Sequence, residues 1–260
     1  MDRSIYKLQV NLMVKRMEKL LRLPEIVKNY PDCFFAYLKA LAFGKNFLTL
    51  YKLTDGTRLW VNARGPDRGL LVQIWLYKVY TRFFDIEKND VVVDIGSHIG
   101  VFTIYAARKA REVIAFEPIK NNFEILNANI KVNGLKNVIT RRMAVWNVRK
   151  KLDIFLHHNS SANSIFNKTE KTERVQCITM ADILEKLNCV DFMKIDSEGC
   201  ELDTVISTPR NVIRKIKKFA IECGDRAIRK RIASYLQKCG YKTMHNDQPG
   251  YWHILFAVRR

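Results

Sequence analysis

Asp90-Val91-Val92-Val93-Asp94-Ile95-Gly96-Ser97-His98-Ile99-Gly100 is the stretch that decides the fold. Val91 to Ile95 is a short, almost continuous apolar run, as expected for a strand covered on both faces of a parallel sheet. Two glycines follow it, and a helical pattern begins at Ile99. Downstream the alternation continues through helix 99–110, strand 112–116, helix 119–133 and strand 137–143. A polar-rich excursion has strands near 151–156 and 174–178. Then come helix 180–187, strand 190–195, helix 198–207, strand 217–222 and helix 225–239. Such alternation implies right-handed crossovers and a doubly wound sheet. Residues 241–245 and 251–258 read as two more strands, joined by Asn246-Asp247-Gln248-Pro249-Gly250. A connection that short makes an antiparallel hairpin. The expected fold is therefore α/β: a doubly wound, mostly parallel seven-stranded sheet with an antiparallel last strand.

Upstream the pattern differs. Ile5, Leu8, Leu12, Met13, Met17 and Leu20 recur at three- and four-residue steps, with Lys7, Lys15, Arg16, Lys19 and Arg22 between them. This predicts a basic helix over 4–23, ended by Pro24 and packed by its apolar face. Such a helix can also lie on an anionic membrane. A second helix is expected over 32–43. Strands 47–53 and 57–62 flank Asp55-Gly56, a pair suited to a hairpin turn. Helix is expected again over 69–84. The organisation reads as an N-terminal helical and hairpin extension, 1–68, followed by a ligand-binding domain, 69–260.

Composition bounds the function. With 48% hydrophobic residues in 260, a sizeable core is available and disorder is excluded. The formal charge of +19 favours anionic partners: nucleic acid, an acidic membrane surface or acidic glycans. Six cysteines form no C-x-x-C pair, which argues against a structural zinc site and, with no other ligand cluster in view, for no metal. No apolar run reaches membrane-spanning length, so no transmembrane segment is expected. With no secretory signal visible, the expected location is cytoplasmic, with reduced thiols.

Three motifs carry the chemistry. The first is Asp94-x-Gly96-x-x-x-Gly100, where glycine permits a tight turn and close approach of a ligand. A dinucleotide fingerprint would place a glycine between these two, but Ser97 and His98 stand there. The acid ahead of the loop suits a ligand bearing an ammonium and a sulfonium. The second is Ala115-Phe116-Glu117-Pro118, some way beyond the glycines. An acid at that strand end accepts hydrogen bonds from both hydroxyls of a ribose, and Pro118 is suited to start the next helix. The third is Lys194-Ile195-Asp196-Ser197-Glu198-Gly199-Cys200-Glu201. Alternation puts Phe192, Lys194 and Asp196 on one side of the strand and Met193 and Ile195 on the other. Asp196 falls at the carboxyl end, where open α/β sheets bind ligands. Glu198 and Glu201 are expected to open the next helix, Glu201 as helix-terminus stabilisation. Lys194, in an apolar strand, is expected to pair with a carboxylate.

DIGSHIG, AFEP and KIDSEGCE in this order resemble the FkbM family of methyltransferases, which reads close to DIGANIG, FEP and KIDVEGAE. The resemblance runs from about Gly69 to Glu222, an acid that matches one common at the end of the next strand. It departs at His98, where asparagine is frequent, and at Glu222-Cys223-Gly224, where the family often has Glu-x-His. It implies S-adenosylmethionine as cofactor, a class I fold closed by an antiparallel strand, and methylation of a hydroxyl on a sugar, glycolipid or other small metabolite. The expected cofactor-binding set is Asp94, Gly96, Ser97, His98, Gly100, Glu117, Pro118, Ala144 and Asp196. A general base would aid attack by a hydroxyl. Asp196 is the first candidate, Glu198 the second and His98 the third. His157 and His158 fall in a polar insertion, read as surface loop or as a lid over the acceptor.

Three rival readings remain. An RNA methyltransferase suits the charge, but no Asn/Asp-Pro-Pro-Tyr or Pro-Cys signature occurs. For a ribose 2′-hydroxyl, Asp196 and Glu222 fit two places of a Lys-Asp-Lys-Glu set. A non-catalytic binding module of the same fold is the second rival. An NAD-dependent oxidoreductase is the weakest, given the missing middle glycine.

Overall fold

The computed structural model describes residues 21–65, 67–156, 169–245 and 253–260. The expected helix over 4–23, His157 and His158, and the turn 246–250 fall wholly or mostly outside them. The chain divides into two compact units, Met1–Lys78 and Val79–Arg260.

In the first unit Leu23–Glu25 forms a 3₁₀ turn and Tyr30–Ala42 (α1) a helix with proline in its first turn, where the missing N–H costs nothing. β1 (Leu48–Lys52) and β2 (Arg58–Asn62) pair as the expected hairpin. Gly56 takes φ +88°, and Asp55 accepts a hydrogen bond from the Thr57 amide. Asn29 fastens the hairpin from the side, donating to the Leu50 carbonyl and accepting from the Lys52 amide. Asp67–Leu71 (α2) runs into one π-helical turn, Val72–Leu76. Helix was expected as far as residue 84. It stops at Leu76, and Lys78 takes φ +50°, a left-handed conformation that no helix continues through.

The second unit is built on the decisive stretch. β3 (Val91–Ile95) is buried at every residue, as its two-sided apolar run requires. It pairs in parallel with β4 (Glu112–Phe116), which pairs with β5 (Val138–Arg141). On its other side lies β9 (Val190–Ile195), then β10 (Ile216–Glu222), both parallel. β12 (Ile254–Arg259) is antiparallel to β10, and β11 (Tyr241–His245) pairs with β12 at the edge. The order is β11-β12-β10-β9-β3-β4-β5, the seven-stranded, mostly parallel sheet expected. The excursion forms its own three-stranded sheet, in which β8 (Thr172–Thr179) lies between β6 (Ala144–Trp146) and β7 (Lys150–Phe155).

Alternation along the strands divides the core. Met193, Ile195, Phe219 and Ile221 join helix residues Ile183, Val205, Ile232 and Leu236 in one apolar cluster. On the other face Phe192 and Phe256 meet Phe84 and Phe102 edge-on or tilted, and Tyr80 packs edge-on against Phe102. That arrangement brings the Tyr80 hydroxyl to the strand tips.

Two helix starts differ from expectation. The helix after β4 is Lys120–Val132 (α4, following α3 at Val101–Ala107). Pro118 therefore sits ahead of it, in the extended segment after Glu117, rather than at its first turn. The helix after β9 begins at Glu201 (α6, Glu201–Ile206, following α5 at Met180–Glu185). Glu198 does not open it: Glu198 and Gly199 take φ +52° and +105° and make a turn first.

Candidate active site

The site is assembled where β3, β4, β9 and β10 end. The backbone of the glycine loop crosses over to β4, with the amides of Gly96 and Ser97 both donating to the Phe116 carbonyl. The Ser97 hydroxyl turns inward and donates to the Asp94 and Phe116 carbonyls. Gly96 takes φ +76°, and a Cβ built on it would lie 1.7 Å from the Asp196 carbonyl oxygen. The glycine is thus required twice, for its dihedral and for contact with the neighbouring loop. His98 also has positive φ, at +52°.

Asp94 is fully buried. Its Oδ2 accepts from Thr103 Oγ1 at 2.6 Å, and its Oδ1 lies 3.2 Å from Lys194 Nζ. Lys194 donates to the Gly96 carbonyl at 2.7 Å and stands 3.6 Å from Asp196 Oδ2. The expected pairing of Lys194 with a carboxylate is therefore met twice. Burial opposes its charge, but Asp94 and Asp196 outweigh burial and hold its pKa above the usual lysine value.

Glu117 lies just past β4, also buried. Its oxygens accept from the His98 amide at 2.9 Å, the Ile119 amide at 3.0 Å and Asn122 Nδ2 at 3.3 Å. The backbone of His98 thereby ties the glycine loop to the acid of the second motif. Burial raises the Glu117 pKa, against the opposing effects of His98 and the two amides. Ala144 opens β6 and packs with Ile119, close in sequence to Glu117.

Asp196 extends β9 by one residue, its amide donating to the Ile95 carbonyl. The next loop is held by Glu201, which accepts from the amides of Ser197 and Gly199. That is a structural duty at the helix start, as its position suggested.

Sequence reasoning missed Tyr80, because nothing near it in the chain marks it. Its hydroxyl lies 2.9 Å from Asp196 Oδ2 and 3.0 Å from Glu222 Oε2. A phenol has one proton, so it cannot donate to two carboxylates at once. One of the three groups must supply a second proton. Asp196, together with burial, pushes the Glu222 pKa up to about 8. Protonated Glu222 donating to Tyr80, and Tyr80 donating to Asp196, accounts for both contacts. Burial, with Asp196 and Glu222 beside it, also pushes Glu198 up to about 8. Among the described residues no group of three or more His, Cys, Asp and Glu side chains is arranged to hold a metal ion.

The strand tips thus gather Asp94, Asp196, Glu198 and Glu222 around a single ammonium, Lys194. That surplus of carboxyl groups, beside a glycine cradle that admits no Cβ, fits a cationic nucleoside ligand better than a pyrophosphate. Strand order and loop together define a class I, S-adenosylmethionine-dependent methyltransferase.

Comparison with known proteins agrees. The model of the methyltransferase FkbM domain matches residues 94–243. The chain therefore belongs to the FkbM methyltransferase family. Methyltransferase 1 of Beauveria bassiana is 23% identical over 182 residues, covering 59% of this chain and 73% of its own. An uncharacterized protein of Methanocaldococcus jannaschii is 33% identical over 73 residues, and the match spans 27% of this chain and only 28% of that protein. A protein of Caldanaerobacter subterraneus subsp. tengcongensis named as an RNA methyltransferase is 36% identical over 63 residues, 24% of this chain and 14% of its own. Among the described residues no helix is long and apolar enough to cross a membrane.

Proposed function

We propose that the protein methylates a hydroxyl oxygen of a sugar, glycolipid or other small metabolite, with Asp196 as the general base. The observation that carries this is the Glu222–Tyr80–Asp196 chain beside the glycine loop. Asp94, Gly96, Ser97, His98, Gly100, Glu117, Pro118 and Ala144 are assigned to cofactor binding, with Asp196 at its border. When bound, the methyl donor supplies an electrophilic methyl group on a sulfonium and leaves as a neutral thioether.

The chain's own residues then have two tasks. One is positioning, because in-line displacement depends on holding oxygen, carbon and sulfur aligned. The other is disposal of a proton. An aliphatic hydroxyl attacks as it loses its hydrogen, and the proton passes to the Asp196 carboxylate. Tyr80 holds Asp196 in place, and Lys194 offsets its charge. Asp196 remains partly exposed, at 23% of its side chain, so an acceptor can reach it. Glu198 is the reserve candidate. The His98 amide serves Glu117, which supports reading His98 with the cofactor-binding residues rather than as a base.

The net charge of +19 favours a second reading, in which the hydroxyl is a ribose 2′-hydroxyl of RNA. Lys194, Asp196 and Glu222 stand together here, which would supply one lysine and both acids of a Lys-Asp-Lys-Glu set and leave the second lysine unassigned. Incubation with methyl-labelled cofactor and fractionated cell extract separates the readings by whether label enters glycan, lipid or RNA. Asp196→Asn should lower turnover on that acceptor by about 10²–10⁴, far more than it lowers cofactor affinity. Retained turnover would remove Asp196 as the base.

A further inference from the structure

The helix Tyr30–Ala42 turns its small residues inward, burying Cys33 and Ala40. Its large apolar residues face out. Phe35 is 68% exposed and Phe43, just past its end, 69%; Phe34, Leu38 and Leu41 lie between 42% and 45%. Positions 34, 38 and 41 repeat at the spacing of one helix face, and 35 adjoins it. The helix is therefore amphipathic in the outward sense. Soluble proteins seldom leave a contiguous patch of this kind uncovered without a partner for it.

Aromatic rings meet within the patch. Phe34 stacks on Tyr30 and tilts against Tyr37, and the Arg68 guanidinium sits 4.0 Å from the Tyr37 ring centroid. The surrounding charge is one-sided. From Leu21 to Lys78 there are nine lysines and arginines against four acids. Three of those acids are engaged, Glu25 by Arg22, Asp55 by Trp75 and Asp67 by Asn62. Lys28, Lys39 and Lys45 are exposed, Lys39 on the helix itself.

We propose that this face of Tyr30–Phe43 docks on an anionic lipid surface, with Phe34, Phe35, Leu38 and Phe43 entering the headgroup boundary. Interfacial helices combine an apolar face with flanking cations in this way. A second copy of the chain is the poorer occupant, because like faces would bring Lys39 and Lys45 against their own equivalents. RNA would satisfy the cations but not the aliphatic Leu38 and Leu41.

The full chain is tested by flotation with vesicles of phosphatidylcholine alone and with roughly a third phosphatidylserine. Wild type should bind the anionic vesicles and bind the neutral ones at least about tenfold more weakly, losing affinity as salt rises. Phe35→Ser with Phe43→Ser should lose at least about tenfold, with an unchanged thermal melt because both positions are exposed. Lys39→Glu with Lys45→Glu should lose the preference for phosphatidylserine. Wild-type binding by the Phe35/Phe43 double variant would overturn the proposal. So would indifference to vesicles with self-association in sedimentation velocity that the double variant abolishes, or with tight binding to an RNA oligonucleotide instead.

Discussion

Replacing Lys194 by methionine keeps the length of the side chain and removes its charge. Lys194 is 3% exposed and lies 3.2 Å from Asp94 and 3.6 Å from Asp196. At an effective dielectric of about 20, each contact represents roughly 5 kcal/mol of gross attraction. Most of that offsets the cost of burying three charges, so the net value of the cluster is far smaller. The variant does not recover that cost. It leaves Asp94, fully buried, to the hydrogen bond from Thr103, and loses the bond to the Gly96 carbonyl. Breaking a buried pair by removing one partner costs about 3–5 kcal/mol. At about 2–4 °C per kcal/mol for a unit of this size, the melting temperature should fall by roughly 6–20 °C. Because the lost bond also holds the glycine loop, cofactor affinity measured by calorimetry should fall in the same variant. Asp94→Asn combined with Lys194→Met should recover part of the stability, as no fully buried carboxylate is left without a countercharge. A melting temperature within about 2 °C of wild type would refute the view of Lys194 as the clasp between the two loops.

Other outcomes follow from the same geometry. Gly96→Ala places a methyl 1.7 Å from the Asp196 carbonyl oxygen, which forces the loops apart; calorimetry should show at least about a tenfold loss of cofactor affinity, and an unchanged affinity would contradict the close contact. Thr103→Val deletes the 2.6 Å bond to buried Asp94 and should cost about 1.5–3 kcal/mol in denaturant titrations. Glu198 and Glu222 hold protons up to about pH 8, whereas in the unfolded chain they ionise in the ordinary carboxylate range. Their contribution to stability is therefore present in mild acid and lost as pH rises through about 8. Melting temperature should fall from about pH 5 to about pH 8, and less so in Glu222→Gln, whose side chain stays neutral.

Most of the sheet was legible because burial on two faces writes itself into apolar runs. The ends of Val190–Ile195 match the expectation from the sequence to the residue. What the pattern did not show was backbone conformation at residues other than glycine. Lys78 and Glu198 adopt left-handed dihedrals, which side chains of their type do not advertise, so the helices around them were read too long. That Asp94, Glu117 and Asp196 would lie at strand ends was legible because each acid closes an apolar run. Tyr80 was not. A tyrosine among Val79, Phe83 and Phe84 reads as core, and in part it is, through its edge contact with Phe102. Only the fold brings its hydroxyl between two carboxyl groups more than a hundred positions away.

Lys194 has a thermodynamic consequence beyond its structural one. The same ammonium touches the glycine loop, proposed to hold the methyl donor, and Asp196, the proposed base. Whatever changes the charge on one side is therefore felt on the other, and by reciprocity the effect is equal in both directions. A cationic ligand arriving at the loop favours ionised carboxyls, so its binding should expel protons from the Glu222–Tyr80–Asp196 chain. Stock solutions of differing buffer ionisation enthalpy would read those protons directly as heat.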